Sequence, residues 1–341
     1  MRDSSNSPVL VEVLRGGAVE SRHRGAFAIT DAAGRIIAAS GPIDAPVFPR
    51  SAVKPLQALP LVESGAAEAF RLTNKELALA CASHRAEPPH VKAVEAWLAA
   101  SGLGPEALEC GAHPPSDPAA SAELIRRGET PSAVHNNCSG KHSGFICTAV
   151  HLGEDPRGYI QPGHAVQRRV SAALADMTGV DLAAAPCGCD GCGIPSYAIP
   201  LRALARGMAR MVDTGSLGRE RARAAETLMA AMGAEPFYVS GTGSFVTECM
   251  RAAGAAVRVK TGAEGVYAAA LPTLGYGVAL KIEDGAGRAA ELAMATLLRA
   301  LRCFGEEQEQ ALRPFLHPVL RNVAGAPVGT VRPTEALSIT R

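Results

Sequence analysis

Neither sign of charge is in excess: 34 lysines and arginines stand against 33 aspartates and glutamates, a formal net charge of +1 over 341 residues. Such a balance gives no general field to recruit nucleic acid or an anionic membrane, and it suits a small neutral or zwitterionic substrate better. Long hydrophobic runs are missing too, so no segment is expected to span a bilayer. Residues 1–8 are polar where a secretory signal would be basic and then apolar. These absences place the protein in the cytoplasm, with neither nucleic acid nor membrane as a partner. Nine cysteines is an odd count for a disulfide framework, and clustered thiols in a reducing compartment are more often metal ligands, catalytic groups or core residues. Cys81, Cys110, Cys147, Cys249 and Cys303 stand apart from other cysteines and read as core. What is present is apolar bulk, 47% of the chain, enough for a substantial core.

Strand signals come first, at 9–14, 26–30 and 36–39, with a turn at Asp31-Ala32-Ala33-Gly34. From Ser51 to about Ala231 the pattern is mostly helical. A capping box at Thr73-Asn74-Lys75-Glu76 opens an apolar helix running towards Ser83, and helices fit 91–100, 140–151, 165–177 and 219–232. Strand signals return at 237–239, 245–248, 256–260, 265–269 and 278–282, before a last helix near 289–301. Residues 324–341 read as a loosely held tail. There is no internal repeat or long linker. The expected fold is therefore α+β: a single domain over 1–341, with an antiparallel sheet from both chain ends (8–50 and 236–300) and a helical block (51–235) inserted between them.

Arg50-Ser51-Ala52-Val53-Lys54-Pro55 contains a Ser-x-x-Lys, and on a helix the i, i+3 spacing puts hydroxyl and amine on one face. Serine is a poor nucleophile at its own pKa, so a neutral amine must take its proton. By itself the pattern is common and more often marks a solvated lysine. Lys260-Thr261-Gly262 follows a strand signal, and Ser-x-x-Lys and Lys-Thr-Gly occur in this order in serine β-lactamases and penicillin-binding proteins. Their intervening Ser-Asp-Asn is missing here, although Ser83-His84 offers a second hydroxyl. The plain alternative for Lys-Thr-Gly is a lysine at a strand end before a glycine turn. Two further stretches are dense in polar groups: His135-Asn136-Asn137-Cys138-Ser139-Gly140-Lys141-His142, and Cys187-Gly188-Cys189-Asp190-Gly191-Cys192-Gly193. Thiols in glycine-rich turns are the raw material of a zinc site, but there is no second Cys-x-x-Cys to complete four thiolates. A redox Cys-x-x-Cys at Cys189 and Cys192, or thiols that merely pack, explain the same spacing.

Together these segments resemble the Rhizobium etli type of L-asparaginase, also called asparaginase II, in five ordered motifs: Arg50 to Pro55, Ala82-Ser83-His84, Asn136 to His142, Asp190 to Pro195 and Lys260 to Gly265. The resemblance implies a serine β-lactamase and penicillin-binding-protein-like fold, and two serine-lysine tandems, Ser51 with Lys54 and Ser83 with Lys260. It implies zinc bound by Cys138, Lys141 and Cys192, with Arg50, His84, Asn137 and Asp190 around the substrate. Cys187 and Cys189 lie close enough in sequence to compete as ligands. The expected activity is hydrolysis of L-asparagine by serine-lysine acyl transfer, in a homodimer. Competing readings are hydrolysis of glutamine, another ω-amide or a β-lactam on the same fold, and a zinc-binding or redox-sensing protein in which the cysteines are the working element.

Overall fold

A computed structural model of the chain describes residues 7–339, and its backbone contacts divide into two units. Among the described residues, twelve strands run in chain order: β1 (Val9–Arg15), β2 (Ala18–Asp31), β3 (Ile36–Ser40), β4 (Pro46–Val47), β5 (Cys187–Cys189), β6 (Pro195–Tyr197), β7 (Ile199–Pro200), β8 (Arg258–Thr261), β9 (Val266–Leu271), β10 (Tyr276–Ile282), β11 (Val319–Arg321) and β12 (Pro327–Pro333).

The first unit comprises residues up to Ala52, Ile199–Asp213 and the chain from Glu248 onwards. Its sheet has the order β11-β12-β1-β2-β10-β9-β8, with β3 also on β2, and every pairing is antiparallel. The long β2 joins the sheet's halves: Val19 to Arg24 pair with β1, and Gly25 to Asp31 pair with β10. All six residues of β9 are buried, so both of its faces are covered, which explains an uninterrupted apolar run in place of alternation. The helices Leu201–Arg210 and Gly287–Ala300 pack on β9 and β10, and each buries long apolar stretches. Burial of this kind supplies most of the driving force for folding.

The second unit, Val53–Ala198 with Thr214–Thr247, is the helical block. Its axis is the helix Ser139–His151, buried from Ser139 to Ala149. A helix covered on all sides belongs to an interior rather than a surface. The helices Asn74–Ala80 and Pro88–Ala100 pack against it. The first opens with the Thr73 and Glu76 capping box anticipated above.

Sheet strands from both ends of the chain and helices between them agree with the fold class read from the sequence. Three local expectations are corrected. Residues 237–239 and 245–248 lie in helices, Pro236–Ser240 and Phe245–Ala253. Short apolar runs do not distinguish strand from helix, and the deciding features are local: Pro236 at a first helical position, and the Ser244 hydroxyl receiving the Thr247 N–H at 3.2 Å. The segment expected as a loose tail contains β12, whose Gly329 to Pro333 pair with β1. Finally, Leu201–Arg210 falls inside the expected helical block, yet it packs on β2, β9 and β10.

Candidate active site

The sheet unit holds Arg50, Ser51 and Lys260. Arg50 and Ser51 sit in a 3-10 turn, Arg50–Val53, that runs directly into the helix Lys54–Gln57. Arg50 has φ +49°, a left-handed conformation uncommon for a residue with a side chain, and strain of this kind gathers at functional sites. Lys260 is fully buried on β8 and its amine donates to the Thr261 carbonyl at 2.8 Å. The glycine of Lys-Thr-Gly has a steric reason. A Cβ on Gly262 would lie 2.7 Å from the Pro49 carbonyl oxygen and 3.1 Å from the Ala52 nitrogen. Only glycine lets this turn lie against the backbone that carries Ser51.

The helical unit brings together more of the expected residues. Lys54 is fully buried. Its Nζ bonds to the Ala82 carbonyl, lies 3.0 Å from Ser83 Oγ, and shares a hydrogen bond with the Cys138 thiol. The carbonyl, the hydroxyl and the sulfur all carry lone pairs able to accept from the amine's N–H groups.

His84 is buried, and its tautomer follows from its neighbours. The Ala86 N–H donates to Nδ1 at 3.1 Å, so the proton is on Nε2, which donates to Ser139 Oγ at 2.8 Å. Ser139 in turn donates to the Val134 carbonyl at 3.0 Å. Burial first, and then the charges of His90 and Lys54, hold the His84 pKa well below the usual histidine value.

Cys138, Lys141 and Cys192 converge, all at most 5% exposed. Cys138 caps the helix Ser139–His151, which places Lys141 one turn on, and Lys141 Nζ lies 3.2 Å from Cys192 Sγ. The Cys192 thiol and Cys138 share a hydrogen bond that lowers the Cys138 pKa well below the ordinary thiol range, aided by Lys54 and Lys141 and opposed by burial; the same bond, with burial, raises Cys192. Burial alone would depress Lys141, but Cys192, Cys138 and Asp190 outweigh it and the net shift is upward. The trio is thus a thiolate, a thiol and an ammonium. Two sulfurs and an amine are a donor set that suits a borderline-soft dication once the amine and second thiol lose their protons. No group of three or more His, Cys, Asp and Glu side chains placed to hold a metal occurs among the described residues, so the set reaches three only through Lys141.

Asn137 lies beside this trio: its Oδ1 is 3.2 Å from Cys138 Sγ, its carbonyl accepts the His84 N–H and its own N–H donates to His113 Nε2 at 2.9 Å. Asp190 closes a tight turn, accepting the Gly193 N–H at 2.9 Å. Cys187 and Cys189 are exposed on β5, whereas Cys192 is buried. One residue escaped the sequence reading. Asn136 is buried, its Oδ1 accepts the Cys138 N–H at 2.8 Å and its amide donates to the Cys110 carbonyl, also at 2.8 Å. The only signal was its place beside Asn137, and nothing there told one amide from the other.

Gly140, in the same motif, sits where a Cβ would lie 2.5 Å from the Leu79 carbonyl oxygen. The two helices meet there backbone to backbone, which fixes Lys141 relative to the Ala82-Ser83 turn. The L-asparaginase II family pattern matches residues 11–333. The chain belongs to the L-asparaginase II family. Among curated proteins none matches it. Two solved structures are similar to it at low identity. One, Mglu in its tris and glutamate form, is 14% identical with a TM-score of 0.38, over 88% of this chain and 64% of that one. This chain therefore spans just under two thirds of that protein's length. The other, from Bacteroides dorei and provisionally named a beta-lactamase, is 15% identical with a TM-score of 0.39, over 76% and 84%. No helix among the described residues of this L-asparaginase II family member is long and apolar enough to cross a membrane.

Proposed function

We propose that the chain hydrolyses the side-chain amide of L-asparagine to L-aspartate and ammonia by serine-lysine acyl transfer. Family membership supports the substrate class. The observation that carries the chemistry is the Lys54 amine, fully buried and 3.0 Å from a serine hydroxyl. Ser51 stands three residues before Lys54 on one continuous helical stretch and is the nucleophile. Its proton passes to neutral Lys54 as Oγ bonds to the amide carbon. That proton then goes to the departing nitrogen, so ammonia leaves and an ester of Ser51 remains. Water adds to the ester and gives its proton to the same amine, which returns it to Ser51 Oγ as the ester bond breaks and aspartate leaves. Ser83 and Lys260 relay protons and orient the first pair. Arg50, Asn137 and Asp190 hold the substrate, while His84, both of whose ring nitrogens are engaged within the protein, acts through position.

Cys138, Lys141 and Cys192 would hold the zinc ion. When bound, the ion would neutralise the Cys138 thiolate and polarise what lies beside it. Nine cysteines, none of them in a disulfide among the described residues, fit a reducing, cytoplasmic setting, and we place the protein there as a homodimer.

A second reading makes Ser83 the nucleophile and Lys54 its base, favoured by the direct 3.0 Å hydrogen bond. Ammonia release from asparagine and from glutamine by Ser51→Ala and Ser83→Ala tests both. The first reading expects Ser51→Ala to be inactive and Ser83→Ala to retain measurable turnover; the reverse transfers the role. No ammonia from asparagine with the unaltered protein, with or without zinc, would sink both.

A further inference from the structure

All three residues of β5 are exposed, and Cys187 and Cys189 are both free. Residues i and i+2 of a strand point to one face. The two thiols repeat one local geometry, Cys187 donating to the Gly188 carbonyl at 3.7 Å and Cys189 to the Asp190 carbonyl at 3.5 Å. The hairpin that carries them is held in register: Cys187 pairs with Tyr197 and Cys189 with Pro195. It is clamped at both ends by Ala198 N–H to the Pro186 carbonyl at 2.8 Å and Asp190 N–H to the Ile194 carbonyl at 2.9 Å.

The spacing decides what such a pair can do. A strand rise of about 3.3 to 3.4 Å per residue puts the two Cα atoms roughly 6.6 to 6.8 Å apart. That is the outer limit for a disulfide, whose Cβ atoms must come within about 3.5 to 4.5 Å, and same-face Cβ atoms on a strand do not converge. Two metal–sulfur bonds of about 2.3 Å bridge up to about 4.6 Å between the sulfurs. The pair is spaced to hold an ion rather than to close on itself. No third His, Cys, Asp or Glu joins it in a metal-holding group among the described residues, so an ion that demands four protein donors is not served. A soft ion content with two thiolates is.

We propose that Cys187 and Cys189 form a surface dithiol site for a soft, thiophilic cation of the cuprous kind. Each thiol releases its proton to water, two metal–sulfur bonds form, and no electron is transferred. The site is separate from the buried Cys138 and Cys192, and it stands whether or not the chain hydrolyses asparagine.

The test is a cuprous-ion titration of the full chain against a competing chromophoric chelator, for the parent, Cys187→Ser, Cys189→Ser and the double variant. Losing one arm of a chelate forfeits the local concentration of the second, so each single variant should weaken binding at this site at least about tenfold. The double variant should bind one cuprous ion fewer than the parent, with unchanged far-ultraviolet circular dichroism and unchanged ammonia release in the absence of copper. If the double variant binds as many ions as the parent, the ion sits elsewhere, at Cys138 and Cys192, and the proposal is wrong. Equal affinity in either single variant would also overturn it, since the two thiols would then not be acting together.

Discussion

Lys54 and Lys141 are both buried in the helical unit, yet they end among different atoms. Lys54 meets a backbone carbonyl, a serine hydroxyl and the edge of a thiol. Lys141 lies against Cys192 and feels the negative charge of Cys138 and Asp190. What differs is the neighbour's capacity to give or take a proton. A hydroxyl can hand its proton to an amine, and accepting it is the role the proposed function gives Lys54. Cys192, Cys138 and Asp190 instead favour Lys141 as a cation, and it can give up that proton when another cation takes its place. On the proposed function, the same residue type at the same depth would serve proton transfer in one place and ion holding in the other, according to its partners.

The largest expected effect separates the two lysines by activity. Lys54→Ala and Ser51→Ala should each lower kcat for asparagine by about 10⁴-fold or more, and the double variant should lose little further because the pair acts as a unit. Multiplying losses in the double variant would show two independent groups and break the assignment of Lys54 as the base of Ser51.

The next effect reads the metal. Protein purified without chelator should carry about one zinc per chain, as a mononuclear site does. Cys138→Ser or Lys141→Met should empty it, whereas Lys54→Ala should leave one amine and two sulfurs to bind it. Zinc content by elemental analysis decides this. Metal that survives loss of both Cys138 and Cys192 would remove the trio as ligands, and metal lost equally with Lys54 would erase the distinction between the lysines.

Much of this arrangement was readable from spacing, and the exceptions have physical causes. The i, i+3 relation of Cys138 to Lys141 needs only a helix, and the capping box and apolar helices announced themselves by period. The meeting of Lys54 with Ser83, 29 residues on, has no local signature, since it depends on where one helix ends and another packs. The resemblance pointed to Cys192, but Cys187 and Cys189 lay close enough in sequence to compete with it as ligands. The turn at Asp190–Gly193 separates them, because it ends the exposed strand before Cys192 and turns that thiol inward. The runs at 237–239 and 245–248 misled because four or five residues hold too little of either period to outweigh a capping serine or a leading proline.

A smaller effect acts on the frame that holds both lysines. Gly140→Ala forces a methyl against the Leu79 carbonyl oxygen, 2.5 Å from where it would sit. Overpacking of this kind costs about 1 to 3 kcal/mol. The urea midpoint should fall accordingly, and activity and zinc affinity should weaken together because Lys141 and the Ala82-Ser83 turn shift relative to each other. An unchanged midpoint would mean that the two helices separate easily and do not fix the site.

The smallest effect uses the histidine beside each lysine. Burial, followed by charges that include Lys54 for His84 and Lys141 for His142, keeps both pKa values well below the histidine norm, so both are neutral in the folded protein. In the unfolded chain they titrate near about 6.5. Below that pH the unfolded chain takes up protons that the folded chain refuses, so stability is lost as pH falls through about 6.5 and goes on falling until the folded pKa is reached; above it neither residue contributes a slope. Each neutral histidine should cost about 1.4 kcal/mol per pH unit in that window. His142 Nδ1 and the Tyr159 hydroxyl share a hydrogen bond at 2.7 Å, while Nε2 has no hydrogen-bond partner among the described residues. Glutamine can accept the same hydroxyl without titrating. Urea unfolding of metal-free His142→Gln, followed from pH 8 to pH 5, should therefore match the parent's slope at the alkaline end and show a slope shallower by one histidine's share below about 6.5. An identical slope in parent and variant would mean that His142 takes up its proton in the folded state, and that Lys141 beside it does not carry the charge assigned to it here.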